Sequence, residues 1–400
     1  MDSFRPKRQG MPRLQFSENT SIWLNAIRGL AAQIVVVSHA FQIFFSGESA
    51  AVRWSVGKIY WIIMTIAPLA QQAVIAFFVI SGWLVGGKIL NDMIGQRFDF
   101  RKYIIDRVTR LWIVLIPALA VTMALDQGAI HLGAGTSIIA SRSFFYPAVW
   151  HQVDPWSLKV FLSNVFFSQM ITSWQFGTNL SLWSLSNEFW YYFLLPFILG
   201  TCLAPSGKIR VICLLSVIAI VSLFLISSNL APNFPFRYIF YFVIWSIAAI
   251  AASISRKAAF VGIGIIALCM TAIFTTTSQP KMLPTFESDI YTAVFILFFI
   301  LLTDKIPGKW LSQSAKFFSS YSYSLYVIHL PVLVFLMSFD PALSSRASYS
   351  SDALIRFAVY VAIANLVAFG LSLVTERNTA RLKSAIFYRL NDFGMKPTVA

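Results

Sequence analysis

The chain has 400 residues, of which 58% are apolar, 16% aromatic and only 12% charged, with a formal net charge of +15. A soluble globular chain carries about 25% charged residues, so this composition excludes an ordinary soluble domain and calls for lipid to cover the surface. In a soluble protein the basic excess would point to nucleic acid; here it follows the membrane topology set out below, and no nucleic-acid partner is expected.

The chain opens on a basic stretch (Arg5, Lys7, Arg8, Arg13) and turns apolar at Ser21. The apolar run, 21–45, is longer than the roughly 7–15 residues of a signal-peptide core and contains Arg28 and His39. It therefore reads as a retained first membrane helix. A span needs about 20 mostly apolar residues. That rule predicts an all-α, polytopic membrane protein of about ten helices: 21–45, 72–91, 101–125, 180–203, 208–228, 236–254, 258–277, 288–304, 316–338 and 352–375. The run at 288–304 is short, and 55–71 is apolar enough to be interfacial or re-entrant. The longest connection, 126–179, contains 157–171, which is too polar for a comfortable span and is expected to form an amphipathic or re-entrant element on the outer face. Loops of this length are often functional. The expected organisation is a basic segment over 1–20, a transmembrane domain over 21–375 and a basic tail over 376–400.

The charges test this count. With ten spans both termini share one side, and that side carries 22 of the 31 Lys and Arg against eight on the other, Arg28 lying within the first span. The asymmetry places both termini in the cytoplasm. The three cysteines (Cys202, Cys213, Cys269) form no CxxC pair, so neither a metal site nor a disulfide framework is expected.

Ionisable groups inside membrane spans are costly and point to function. His39 and His329 lie within apolar runs, whereas His131 and His151 fall in the long connection. Arg28 and His39 are eleven residues apart, three turns and about 20° more, so they share a helix face at a separation of about 16 Å. An arginine in the inner half can hold an anion, and a neutral imidazole in the outer half can take a proton. The plain alternatives are a snorkelling arginine and a hydrogen-bonded core histidine. In the second run, Gly82 and Gly86 have the small-xxx-small spacing that lets helices approach closely, with Ser81 a secondary polar candidate. The third run opens with Arg101, Lys102, Arg107 and Arg110. Arg107 and Arg110 share a face and suit phosphate groups, although arginines at this boundary also set topology, and Asp106 can pair with Arg110 at i,i+4.

The fourth run carries Glu188 a few turns inside an apolar helix, with Ser184, Tyr191 and Tyr192 on its face by the i±3/i±4 rule. Trp183 and Ser186 flank them. A carboxylate among hydroxyls and aromatics suits a sugar; the alternative is a helix-packing hydrogen bond. Pro196 cannot donate to the Tyr192 carbonyl, which frees an acceptor. In the ninth run Ser322, Tyr326 and His329 form one stripe, and Pro331 frees the Val327 carbonyl in the same way. The topology puts His39, Glu188 and His329 at similar depth in the outer half.

Together these segments resemble the acyltransferase-three family of integral-membrane O-acyltransferases, which modify bacterial surface and exported sugars. The matching motifs run in family order over nearly the whole chain. They are Arg28 with His39, FFVISGW at 77–83, the arginine-rich start of the third run ending in Pro117, LWSLSNEFWYY at 182–192, SYSLYVIHLP at 322–331, and Thr375-Glu376-Arg377. Many members carry proline soon after the glutamate–arginine pair, where this chain has Asn378 and Thr379, and some carry an extra hydrolase-like domain, which is not expected here.

The resemblance implies transfer of an acyl group, usually acetyl and otherwise succinyl or longer. It would pass from cytoplasmic acyl-CoA to a hydroxyl of a surface, exported or lipid-linked saccharide on the outer side of a bacterial inner membrane. Acyl-CoA is then a donor substrate and no bound cofactor is expected. Arg28, Arg107 and Arg110 would hold the phosphate-rich donor, and His39, with Glu188 and His329, would act in catalysis. Trp183, Ser184, Ser186, Tyr191 and Tyr326 would contact the acceptor. Ser184 or Ser186 could serve as a nucleophile only with a base in reach. The rival reading is a multi-pass transporter using buried His and Glu as a proton relay. It lacks the inverted repeat and paired broken helices common in such proteins.

Overall fold

Each of the ten expected apolar runs folds as helix in a computed structural model that describes residues 16–45, 62–63, 65–134, 154–230, 233–276, 284–340 and 350–392. The described residues contain no β-strand. In chain order the helices are α1 (Glu18–Phe44), α2 (Ala67–Ile94), α3 (Phe100–Ala129), α4 (Leu158–Val165), α5 (Trp183–Leu203) and α6 (Gly207–Ile226). They are followed by α7 (Phe234–Ser253), α8 (Arg256–Thr276), α9 (Pro284–Leu302), α10 (Ser312–Ser319), α11 (Ser322–Ser338), α12 (Ser351–Val374) and α13 (Thr379–Asp392). Among the described residues seven helices are long and apolar enough to cross a membrane, or eight if α10 and α11 are counted as one bent span. The protein is thus an all-α, multi-pass membrane protein.

Polar side chains start the helices where the sequence offers them. Ser17, Asp99, Ser206 and Ser350 each accept a backbone N–H from the first turn of α1, α3, α6 and α12, satisfying a donor that has no partner within the helix. α1, α2 and α11 form the middle of the bundle: α1 packs along α2, α10 and α11, and α11 along α3 and α12. The apolar stretch of α2 is 72% buried against 17% for α6, so α2 is a core helix and α6 faces lipid. Gly82 and Gly86 lie in a π-helical segment, Gly82–Gly86, pressed against α7. A Cβ on Gly82 would stand 2.2 Å from the Trp245 carbonyl oxygen, so glycine there is a requirement of close approach.

Three expectations change. The ninth run is broken: α10 (with the turn from Lys309) and α11 meet at 48°, because Tyr321 leaves the helical conformation. Residues 65–71 are no separate re-entrant element. They pass through one tight turn, Ala67–Leu69, into the body of α2, and 55–61 lie outside the described residues. The segment 157–171 forms only the eight-residue α4, followed by irregular chain in which Phe167 and Met170 adopt positive φ. That chain is buried: Phe167, Gln169, Gln175 and Asn179 are all inaccessible to solvent. Non-helical backbone at membrane depth is tolerated only when buried in protein or lining a cavity, and this segment satisfies the first condition.

Candidate active site

The break between α10 and α11 is where the site begins. A helix end leaves carbonyls unpaired and a helix start leaves N–H groups unpaired. Here Arg28 Nη2 donates to the Ser319 carbonyl at 2.9 Å, and the Ser322 hydroxyl donates to the same oxygen at 2.9 Å. Across the break, Glu376 Oε1 accepts the backbone N–H of Ser324 at 2.5 Å. A cation therefore sits at a helix C-terminus and an anion at a helix N-terminus, each complementing the helix dipole. Glu376, whose sequence motif suggested no role, is fixed by this contact.

Arg28, Glu376, Arg107 and Arg110 all line a cavity of about 650 Å³, within the usual range for small-molecule sites. Its lining is exposed at Lys88, Arg97 and Lys102, beside the start of α3, and buried at Ser184 and Tyr326, so the former side is its mouth and the latter, with Phe77, its inner end. The Nε atoms of Arg28 and Arg107 are buried with no partner among the described residues. Asp106 takes its ion pair from Lys383 of α13 rather than from Arg110. Arg107 also lies 5.8 Å from the centre of the Tyr192 ring.

Glu188 is on the wall of this cavity. Its Oε1 accepts the Ser81 hydroxyl at 2.8 Å and a short bond from the Tyr192 hydroxyl, and Trp245 Nε1 donates to Ser81 Oγ at 3.1 Å. Glu188 thus belongs with the arginines and does not join His39 or His329 by a hydrogen bond. The carbonyl that Pro196 frees, that of Tyr192, accepts the Tyr103 hydroxyl at 2.9 Å, which ties α5 to α3 beside it.

His39 and His329 meet. His39 Nδ1 lies 2.9 Å from His329 Nε2, and the rings are within 15° of parallel. His329 Nδ1 faces the carbonyls of Leu325 (3.0 Å) and Tyr326 (2.9 Å). A carbonyl can only accept, so His329 Nδ1 carries a hydrogen. In the neutral pair, His329 Nε2 must then be the acceptor and His39 Nδ1 the donor. This assignment, made from the hydrogen-bond network, puts the pair's remaining lone pair on His39 Nε2. One ring nitrogen's partner sets the role of the other, and here the setting runs through two rings.

The long connection secures this arrangement. Asp126, wholly buried near the end of α3, accepts the Thr178 N–H and hydroxyl at 2.9 and 2.7 Å and Trp156 Nε1 at 2.9 Å. Gly177 has φ +56, and a Cβ there would stand 2.3 Å from Asp126 Oδ2. The next residues reach α11: Asn179 Nδ2 donates to the Val327 carbonyl at 2.8 Å, and Ser181 Oγ to the Tyr326 carbonyl at 3.2 Å. The Val327 carbonyl is the one that Pro331 frees. The loop therefore completes α11 within one turn of His329. Sequence reading missed Asp126 and Asn179; the unsatisfied carbonyl before Pro331 was the available signal.

The expected acceptor-contacting residues divide. Ser184 and Tyr326 line the cavity and hydrogen-bond each other at 2.6 Å; the Tyr326 ring centre is 6.1 Å from that of His329. Trp183 is outside the cavity lining, with its ring 5.8 Å from Tyr241 and 6.3 Å from Phe78. Ser186 and Tyr191 face away. The Ser186 hydroxyl donates to the Phe167 carbonyl at 2.6 Å and meets the Tyr238 hydroxyl at 3.0 Å, and the Tyr191 hydroxyl donates to the Tyr238 carbonyl at 2.7 Å. Their reach to a substrate is closed by α7 and the buried loop. His131 is exposed beyond α3, and His151 lies outside the described residues.

Residues 21–375 match the family model described as an acyltransferase domain, the acyltransferase-three model. The chain is similar to an uncharacterized protein of Haemophilus influenzae, 28% identical over 163 residues, which is 40% of this chain. The alignment spans 60% of that relative's length. No solved structure matches. The match over nearly the whole chain, on a multi-pass helical bundle, shows that this protein belongs to the acyltransferase-three family.

Proposed function

We propose that the protein transfers an acetyl group from acyl-CoA, bound from the cytoplasm, to a hydroxyl of a surface, exported or lipid-linked saccharide at the outer side of a bacterial inner membrane. The observation that carries this reading is the hydrogen-bonded His39–His329 pair standing just beyond the inner end of an arginine-lined cavity. The charge asymmetry of the sequence supports a cytoplasmic position for both termini and for the cavity mouth. Arg28, Arg107 and Arg110 suit the donor's phosphates, since a guanidinium bonds phosphate bidentately. The pantetheine arm would extend inward past Glu188 to Ser184 and Tyr326. Phe77, Ser184 and Tyr326 carry no charge, which favours acetyl over succinyl.

His39 Nε2 would take the proton of the acceptor hydroxyl as its oxygen attacks the thioester carbonyl. The carbon–sulfur bond then breaks, and the CoA sulfur leaves with a proton returned from His39. The developing imidazolium would be stabilised by His329 Nε2, itself oriented by two backbone carbonyls. Glu188 would help hold the donor rather than orient His39.

The test is mass spectrometry of surface and exported glycans from cells with the gene, without it, and with His39→Ala. Loss of one ester, by the mass of an acetyl group, in the last two strains is the expected result. Identical glycans in all three would overturn the reading and return the histidine pair to the proton-relay reading of a transporter.

A further inference from the structure

A second polar cluster lies between α2, α7 and α9, and the chemistry above does not use it. Asp289 is wholly buried near the start of α9, where a carboxyl group is costly without a partner. Its Oδ2 accepts the Tyr241 hydroxyl at 3.2 Å and Gln71 Nε2 at 3.3 Å, and Gln71 Nε2 also donates to the Tyr241 hydroxyl at 2.8 Å. Its Oδ1 is buried and, among the described residues, no group hydrogen-bonds it and no cation forms an ion pair with it. An unmet buried acceptor destabilises a protein by about 1–3 kcal/mol, so this oxygen is open to a donor that the described residues do not supply.

Position indicates what that is. Gln71, Val74, Phe78 and Ser81 follow the +3, +4, +3 spacing of one helical stripe. Val74, Phe78 and Ser81 line the cavity, so Gln71 lies on the same face about one turn beyond its inner end. Trp183, which directly precedes the cavity residue Ser184, sets its ring against both Tyr241 (5.8 Å) and Phe78 (6.3 Å). A carboxyl oxygen, an amide and a phenol thus converge beside an indole, on the side of the cavity away from its mouth. Such a set suits an uncharged, hydroxyl-rich ring: hydroxyls for the carboxyl group and amide, apolar C–H faces for the indole.

We propose that Asp289, Gln71 and Tyr241, with Trp183 as the stacking surface, bind the acceptor saccharide through its non-reacting hydroxyls and present the reacting one towards His39. This rests on the acyl-transfer reading, so the test keeps the two separable. Asp289→Asn keeps the shape and Tyr241→Phe removes a single hydroxyl. Each is expressed in cells for glycan ester analysis, and each is purified into lipid nanodiscs for acetyl-CoA binding by thermal shift. The ester on the native glycan is expected to fall about tenfold or more in Asp289→Asn and by less in Tyr241→Phe, as for sites built to hydrogen-bond a substrate hydroxyl. Acetyl-CoA affinity should stay within about twofold of wild type, because the cluster lies outside the donor cavity. Unchanged esters overturn the proposal. So does a parallel loss of ester and acetyl-CoA affinity in both variants, which would mark a packing role. A wild-type protein that makes no ester and binds no acetyl-CoA would instead refute the acyl-transfer reading itself, and this proposal with it.

Discussion

The histidine pair and the arginine-lined cavity lie on either side of Tyr326 and are held in place by opposite means. His39 and His329 are fixed by neutral contacts: a ring-to-ring bond, two backbone carbonyls, and a buried loop that completes the helix behind them. The arginines keep donors in reserve. Arg28 gives one nitrogen to a helix end, while its Nε and that of Arg107 have no partner among the described residues. A preorganised neutral pair suits proton transfer, because nothing need reorganise as charge develops. Unspent guanidinium donors suit a charged ligand that arrives and leaves. Substitutions on the two sides should therefore fail in different ways.

The largest effect belongs to His39. His39→Ala removes the proton acceptor, and transfer should fall by at least about 100-fold, while acetyl-CoA affinity and the amount of protein in the membrane stay unchanged. Retained transfer would break the comparison at its centre. His329→Gln is the next step down. It abolishes the carbonyl-fixed tautomer while keeping a polar side chain behind His39, and a loss of about 10–100-fold is expected, as for partners that orient a functional histidine. The loss should appear in kcat with KM for acetyl-CoA unchanged; a raised KM would mean that His329 helps to seat the donor.

Much of this was legible in the residues. The apolar runs and the two carbonyls freed by Pro196 and Pro331 each have a structural counterpart. What the sequence could not supply is long-range pairing. Glu188 shared a similar expected depth with the histidines, but depth along a span does not say which neighbour a helix face meets. Only packing against α2 shows that it meets Ser81 and lies among the arginines. Asp126 and Asp289 stand near span ends, an ordinary position for a charge, and only burial distinguishes them. Glu376 belongs to a visible motif, yet its role depends on a break at Tyr321 that lies within a continuous apolar run.

On the cavity side, Arg107→Ala should raise KM for acetyl-CoA by about tenfold, the equivalent of one charge-assisted hydrogen bond worth roughly 1.5–3 kcal/mol, and leave kcat near wild type. Arg28→Ala sharpens the contrast. Because Arg28 also satisfies the Ser319 carbonyl at the α10–α11 break, its loss should raise KM and lower thermal stability together. Equal behaviour of the two variants would show that the cap and the donor site are not distinct.

The smallest effect is expected where two residues of one motif point in opposite directions. Ser184 and Ser186 are two positions apart on α5, about 200° around the helix. Ser184 reaches Tyr326 at the cavity, whereas Ser186 holds the Phe167 carbonyl of the buried loop and meets Tyr238. Phe167 itself has φ +56, a conformation that a non-glycine residue rarely adopts without support. Ser186→Ala removes the hydroxyl from that support, but Trp190 Nε1 still donates to the same carbonyl at 2.9 Å. The expected loss is therefore about 1 kcal/mol of stability, read as a lowered melting temperature in detergent or nanodiscs, with transfer within about twofold of wild type. Ser184→Ala should do the reverse, altering transfer with little change in melting temperature. If Ser186→Ala instead impaired transfer at full stability, the loop would have to reach the chemistry by a route other than its hold on α11.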